Sequence, residues 1–201
     1  MEYYAQLDSG SYYHIVNRAI GDEKLFRSSG NYAFFLSKFY KYLLTVTDIY
    51  AYALLPNHYH FLVKIKSIEE LLRLRLKGKE FIYHDGWQSK FVMQHLSNFQ
   101  NSYCKALNKT YNRKGALFMN SLRRKQITTD CHLNSIIFYI HKNPVHHGYC
   151  KAINEWGWSS YNVILSGNSS PLKGEEVLNW FGGKEGFIKY HNQPIDKRNN
   201  L

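Results

Sequence analysis

The chain has 201 residues, with 26 Lys and Arg against 15 Asp and Glu and a formal charge of +11 at pH 7. That length suffices for one sizeable core, and the charge points to a polyanionic partner, nucleic acid ahead of an anionic membrane. Three unevenly spaced cysteines, Cys104, Cys131 and Cys150, suggest neither a disulfide scaffold nor a zinc knuckle. No apolar run nears the roughly 20 residues of a membrane helix, and no basic-then-apolar signal opens the chain, so a cytoplasmic protein with reduced thiols is expected.

Residues 10–17 are rich in β-formers and predict a first strand, followed by a polar turn through Gly21 and Asp22. His14 in that strand either packs as an ordinary strand histidine or points toward other histidines. Over 29–45 the apolar residues Phe34, Phe35, Phe39, Leu43 and Leu44 recur at three- and four-residue spacings, which predicts an amphipathic helix capped by Ser28 or Ser29. Two strands, 49–55 and 61–65, flank Pro56-Asn57-His58-Tyr59-His60, with a bulge or restart expected at Pro56-Asn57 because proline interrupts a central strand. Side chains two apart in an extended chain share a face, so His58 and His60 project together while Tyr59 and Phe61 point away. Alone, the pair reads first as an ordinary strand and second as part of a metal site.

A weakly patterned stretch between Lys64 and Lys90 holds a short helix at 68–76 and turns at Lys77-Gly78-Lys79 and His84-Asp85-Gly86, as an insertion touching a partner would. Helical spacing resumes over 95–109. From Lys105 to Lys125 the chain carries Lys105, Lys109, Arg113, Lys114, Arg123, Arg124 and Lys125, no acidic residue, and Tyr111 and Phe118 among them. This mixture suits phosphates and stacked bases, and equally a solvated basic face. Asp130 or Asn134 caps a further helix with Leu133, Ile136, Ile137 and Ile140 on its buried side. It is expected to stop at Asn143, since Pro144 disfavours helical backbone in the residue before it. The aromatic stretch 156–161 reads as irregular, and short helices are expected near 175–181 and 185–191.

Positions four apart on a helix stack on one face, so Tyr139 and Asn143 can meet one site. Joined to the histidines, they suggest two imidazoles and an amide oxygen holding a divalent cation beside a tyrosine.

Three segments carry a resemblance: Leu-Leu-Pro-Asn-His-Tyr-His-Phe-Leu-Val at 54–63, Tyr-Asn-Arg-Lys-Gly-Ala-Leu-Phe at 111–118, and Tyr-Ile-His-Lys-Asn-Pro-Val-His-His-Gly at 139–148. With Trp-Gly-Trp-Ser-Ser-Tyr at 156–161, this ordered set resembles the HUH single-tyrosine transposases, and within them the REP-associated tyrosine transposase branch. The resemblance implies an α+β fold of HUH endonuclease type, a ferredoxin-like antiparallel sheet with helices on one face. Residues 1–165 would form the catalytic domain and 166–201 a helical tail. It implies His58, His60 and Asn143 as ligands of Mg²⁺ or Mn²⁺ and Tyr139 as nucleophile, with Tyr103 the runner-up; Asn143 departs from relatives that carry Gln there. The basic residues and Tyr111 would bind single-stranded or hairpin DNA, and a homodimer is compatible. The activity implied is a single-strand DNA endonuclease and strand transferase with a 5′-phosphotyrosine intermediate. The alternatives are a hairpin-binding protein of the same fold that no longer cuts, and a phosphodiesterase that uses water.

Overall fold

The computed structural model describes residues 4–76 and 84–194. In chain order the elements are β1 (Tyr12–Arg18), α1 (Ser29–Leu43), β2 (Thr47–Leu55), β3 (His58–Ile65), α2 (Ile68–Leu76), α3 (Trp87–Thr110), β4 (Arg123–Ile127), α4 (Asp130–His146), α5 (Tyr161–Ser166), α6 (Gly174–Trp180) and α7 (Lys184–His191). The strands form one antiparallel sheet in the order β2-β3-β1-β4. This is an α+β fold, as expected.

Register and pleat divide the sheet into two faces. Ile15 lies opposite Phe61 and Asn17 opposite Tyr59, so these side chains share the face that α1 and α3 cover. There Phe39 stacks on Phe61 with ring centroids 3.6 Å apart, and Phe35 meets both Tyr59 and Phe99. Each such fully buried ring stabilises the fold by about 1.5–3 kcal/mol through area removed from water. The opposite face carries Arg18 paired with His58 and Val16 paired with His60, while β4 sets Lys125 beside His14 and Arg123 beside Val16. Helices one and three thus cover one face, and α4 lies across the other.

One expectation is met in one of its two forms and two are corrected. Pro56 and Asn57 form a tight two-residue connection between β2 and β3, which stay paired up to Leu55 and His58. The register shift falls instead between Ile49 and Ala51, where the extra Tyr50 stacks on Trp180. Helix α4 does not stop at Asn143 but runs to His146 with Pro144 inside it. Only the last turn loses a hydrogen bond, and Asn143 and Pro144 are both buried there, so packing outweighs the proline penalty. The cap of α4 is Thr129, with Asp130 in the first turn where a negative charge suits the helix N-terminus.

β4 and α5 were not foreseen, and α3 begins earlier than the spacing suggested. The turn at His84-Asp85-Gly86 is present, with Gly86 left-handed at φ 70° immediately before α3. Lys77, Gly78 and Lys79 lie outside the described residues. Residues beyond Ser166 are built into the main core: Val177 and Phe187 are fully buried. The Tyr50 hydroxyl also donates to Glu176 on α6 at 2.9 Å.

Candidate active site

The site begins at the β2–β3 turn. Tyr59 is fully buried on the helical face, its hydroxyl accepting a hydrogen bond from Gln100 of α3 at 2.6 Å, and this anchors the strand so that His58 and His60 project the other way. The Nδ1 of His58 lies 2.7 Å from Oδ1 of Asn57, the shorter of the ring's two contacts with an accepting oxygen, which favours the proton on Nδ1 and a lone pair on Nε2. That Nε2 lies 3.2 Å from Oδ1 of Asn143. His60 is buried, its Nδ1 lies 3.0 Å from Nε2 of His14, and its Nε2 has no hydrogen-bond partner among the described residues.

Burial, the largest influence, keeps these imidazoles neutral: it lowers His58 to about 4 and His14 to about 3, and holds His60 well below the usual histidine value. Neutral imidazoles are what a cation needs. Among the described residues no group of three or more His, Cys, Asp and Glu side chains is placed to hold a metal. A cation here would rest on the two Nε2 atoms and the amide oxygen of Asn143. The lone pair of His58 facing an amide oxygen, together with the orphaned Nε2 of His60, fits such an occupant, because it would satisfy all three atoms at once.

Tyr139 stands on α4 one turn before Asn143, its ring edge-on to His14 and His60 with centroids 5.9 and 5.6 Å away. It is half-buried, and its hydroxyl makes no hydrogen bond among the described residues. Tyr103, the runner-up, is buried with its hydroxyl donating to the carbonyl of Leu25, and burial pushes its pKa far up. Tyr111 donates to Asn31 at 2.9 Å and lies under Arg27.

The basic run is divided among different environments. Lys105, Lys109 and Lys114 are exposed at the end of α3 and in the turn beyond it. Arg113 is turned inward, bonded to Glu23 at 2.8 Å, Asn108 at 2.7 Å and the carbonyl of Ala116 at 2.9 Å. Arg124 likewise spends its donors on the carbonyls of Tyr4, Ala5 and Leu122. Arg123 and Lys125 fall on the histidine face.

A solved structure of a REP-associated tyrosine transposase bound to a REP hairpin superposes on this chain with a TM-score of 0.60, at 15% identity, over 83% of this chain and 86% of that one. The chain has the fold of a REP-associated tyrosine transposase. No family model and no curated protein matches the sequence.

On this transposase fold, several residues around the histidines escaped the sequence reading. A cleft of about 240 Å³ opens beside His58, lined in part by Arg18, Arg123, Met119, His147 and Tyr149. The His147 ring lies 5.0 Å from that of His58. A period-two reading of β1 places Arg18 on the face of His14, and this was the available signal for Arg18. His147 and Tyr149 gave none, because they follow a helix end expected four residues earlier than the cap at His147.

Proposed function

We propose that the protein is a metal-dependent single-strand DNA endonuclease and strand transferase, a transposase or a domesticated relative, that uses Tyr139 as its nucleophile. The observation that carries this reading is a half-buried tyrosine with an uncommitted hydroxyl, set against two imidazoles, one with its Nε2 on a buried amide oxygen and the other with a buried Nε2 that has no partner among the described residues. The net charge of +11 suits DNA, and the neighbour of the same fold was solved bound to a REP hairpin, which supports hairpin-flanked DNA as substrate.

His58 Nε2, His60 Nε2 and Asn143 Oδ1 would hold Mg²⁺ or Mn²⁺, suited to imidazole and hard oxygen, and the bound ion would neutralise a phosphate oxygen and stabilise the transition state. Asn57 orients the His58 imidazole, and Asn143 is held in place by the buried last turn of α4. The Tyr139 oxygen attacks phosphorus and gives its proton to solvent, while the bond to the 3′ oxygen breaks and that oxygen takes up a proton. One phosphate ester replaces another, leaving a 5′-phosphotyrosine and a free 3′-hydroxyl, so a second 3′-hydroxyl can reverse the step and join strands. Arg18, Arg123 and Lys125 on the same face would steer the strand across the site, with Lys105, Lys109 and Lys114 meeting more distant phosphates.

The test is cleavage of labelled single-stranded DNA bearing a hairpin. Cutting is expected with Mn²⁺ or Mg²⁺, and none in EDTA or with His60→Ala. Cutting in EDTA sinks the metal reading, and tight hairpin binding without any cutting favours the binding-only alternative.

A further inference from the structure

The reading above assigns no ligand or nucleophile role to His14, and the geometry around it is specific. His14 lies on central strand β1 and is 6% exposed. Its ring lies edge to edge with that of His60 and nearly in its plane, the centroids 5.2 Å apart at 14°, with Nε2 3.0 Å from His60 Nδ1. Two imidazole nitrogens at that distance share one proton, and its location decides what His60 can do. With the proton on His60 Nδ1, the buried Nε2 of His60 is a bare lone pair. With the proton on His14 Nε2, the His60 proton moves to its own Nε2 and blocks that atom as a ligand.

For His58 the same choice is tilted by Asn57, whose accepting oxygen lies 2.7 Å from Nδ1 against 3.2 Å between Nε2 and the Asn143 oxygen. We propose that His14 does for His60 what Asn57 does for His58: it is a positioning residue whose Nε2 accepts the Nδ1 proton of His60, fixing the tautomer and ring plane that present Nε2 to the cation. This inference rests on the metal-site reading of His58, His60 and Asn143. Its position explains why an imidazole is used. A flat ring can lie in the plane of His60 and meet its Nδ1 edge to edge while Tyr139 packs perpendicular to both histidines, so one side chain holds the ligand and also walls the nucleophile.

The test uses the full chain labelled with ¹⁵N-histidine, free of metal, and reads the ring tautomers from two-bond ¹H–¹⁵N spectra. In the wild type, His60 is expected to show a protonated Nδ1 and a bare Nε2. His14→Gln keeps an acceptor near the position of Nε2 and should preserve that pattern, whereas His14→Leu should scramble it. Mn²⁺ affinity should fall about 10- to 100-fold in His14→Leu and stay near wild type in His14→Gln. A wild-type His60 protonated on Nε2 overturns the proposal, as does a folded His14→Leu with wild-type tautomer and affinity. Should His14→Leu not fold, the wild-type spectrum and His14→Gln still decide. A wild type that takes up no Mn²⁺ defeats the metal reading alone, because the tautomer is measured without metal.

Discussion

Lowering the pH from 7.5 to 5.5 in EDTA should cost this protein most of its stability. Five histidines are held neutral chiefly by burial: His14 at about 3, His58 and His191 at about 4, and His60 and His141 well below the ordinary value of 6.5. The last of these, His141, joins His191 in a second buried chain, in which His191 donates to the Phe187 carbonyl at 2.8 Å and His141 bridges His191 at 2.9 Å and Ser160 at 2.7 Å. Well above pH 6.5 neither the native nor the unfolded chain protonates these rings, so their contribution is constant there. As pH falls below 6.5 the unfolded chain binds protons that the native chain refuses, and stability drops until the folded-state values near 4 are reached. Each ring contributes a tenfold shift over this interval, about 1.4 kcal/mol, and five give about 7 kcal/mol, comparable with the whole stability of a typical domain. Urea melts followed by tryptophan fluorescence at the two pH values measure the loss directly. A difference below about 2 kcal/mol would mean that no more than one or two of these rings resist protonation, and would refute the buried-neutral assignment on which the lone pairs of the site depend.

Three further outcomes rest on the surroundings of particular side chains. Arg113→Ala should lower stability, since it strips Glu23, Asn108 and Ala116 of a shared partner, while the salt dependence of hairpin binding stays near wild type. Lys105→Ala with Lys109→Ala should do the reverse, reducing the slope of log affinity against log salt by about one for each phosphate these lysines neutralise; equal slopes would place the DNA elsewhere. Tyr103→Phe should form covalent DNA adducts at the wild-type level but melt earlier, because its hydroxyl serves the Leu25 carbonyl. Loss of adducts in a folded Tyr103→Phe would reopen the choice of nucleophile.

What the sequence revealed depended on whether an element buries a regular apolar pattern. Helices α1, α3 and α4 and strands β1 to β3 do so, and their periodicities stand out. Strand β4 reads Arg-Arg-Lys-Gln-Ile, and as an edge strand with one neighbour it needs no apolar alternation, so its charges suggested a surface run. The same blind spot merged the basic residues into a single stretch: a linear run cannot reveal that Arg113 and Arg124 turn inward. Of the bulge or strand restart expected at Pro56-Asn57, the structure has the restart, through a two-residue turn into β3 at His58, whereas at Pro144 burial carries the helix one turn past the expected stop. That extra turn keeps Asn143 on the face of Tyr139 and within 3.2 Å of His58. His14 was visible as a residue, but only the β1–β3 register and the ring geometry bring it to His60.

The central claim is that Tyr139 makes the bond to DNA, and locating the covalent link tests it most directly. The tryptic peptide 126–142 contains Tyr139 as its only tyrosine, so trapping the adduct on single-stranded DNA with Mn²⁺, digesting both polymers and sequencing the product by mass spectrometry identifies the site. The account predicts a nucleotide mass on that peptide at Tyr139 and its loss in Tyr139→Phe. An adduct on any other peptide, or one that persists on 126–142 in Tyr139→Phe, would contradict it.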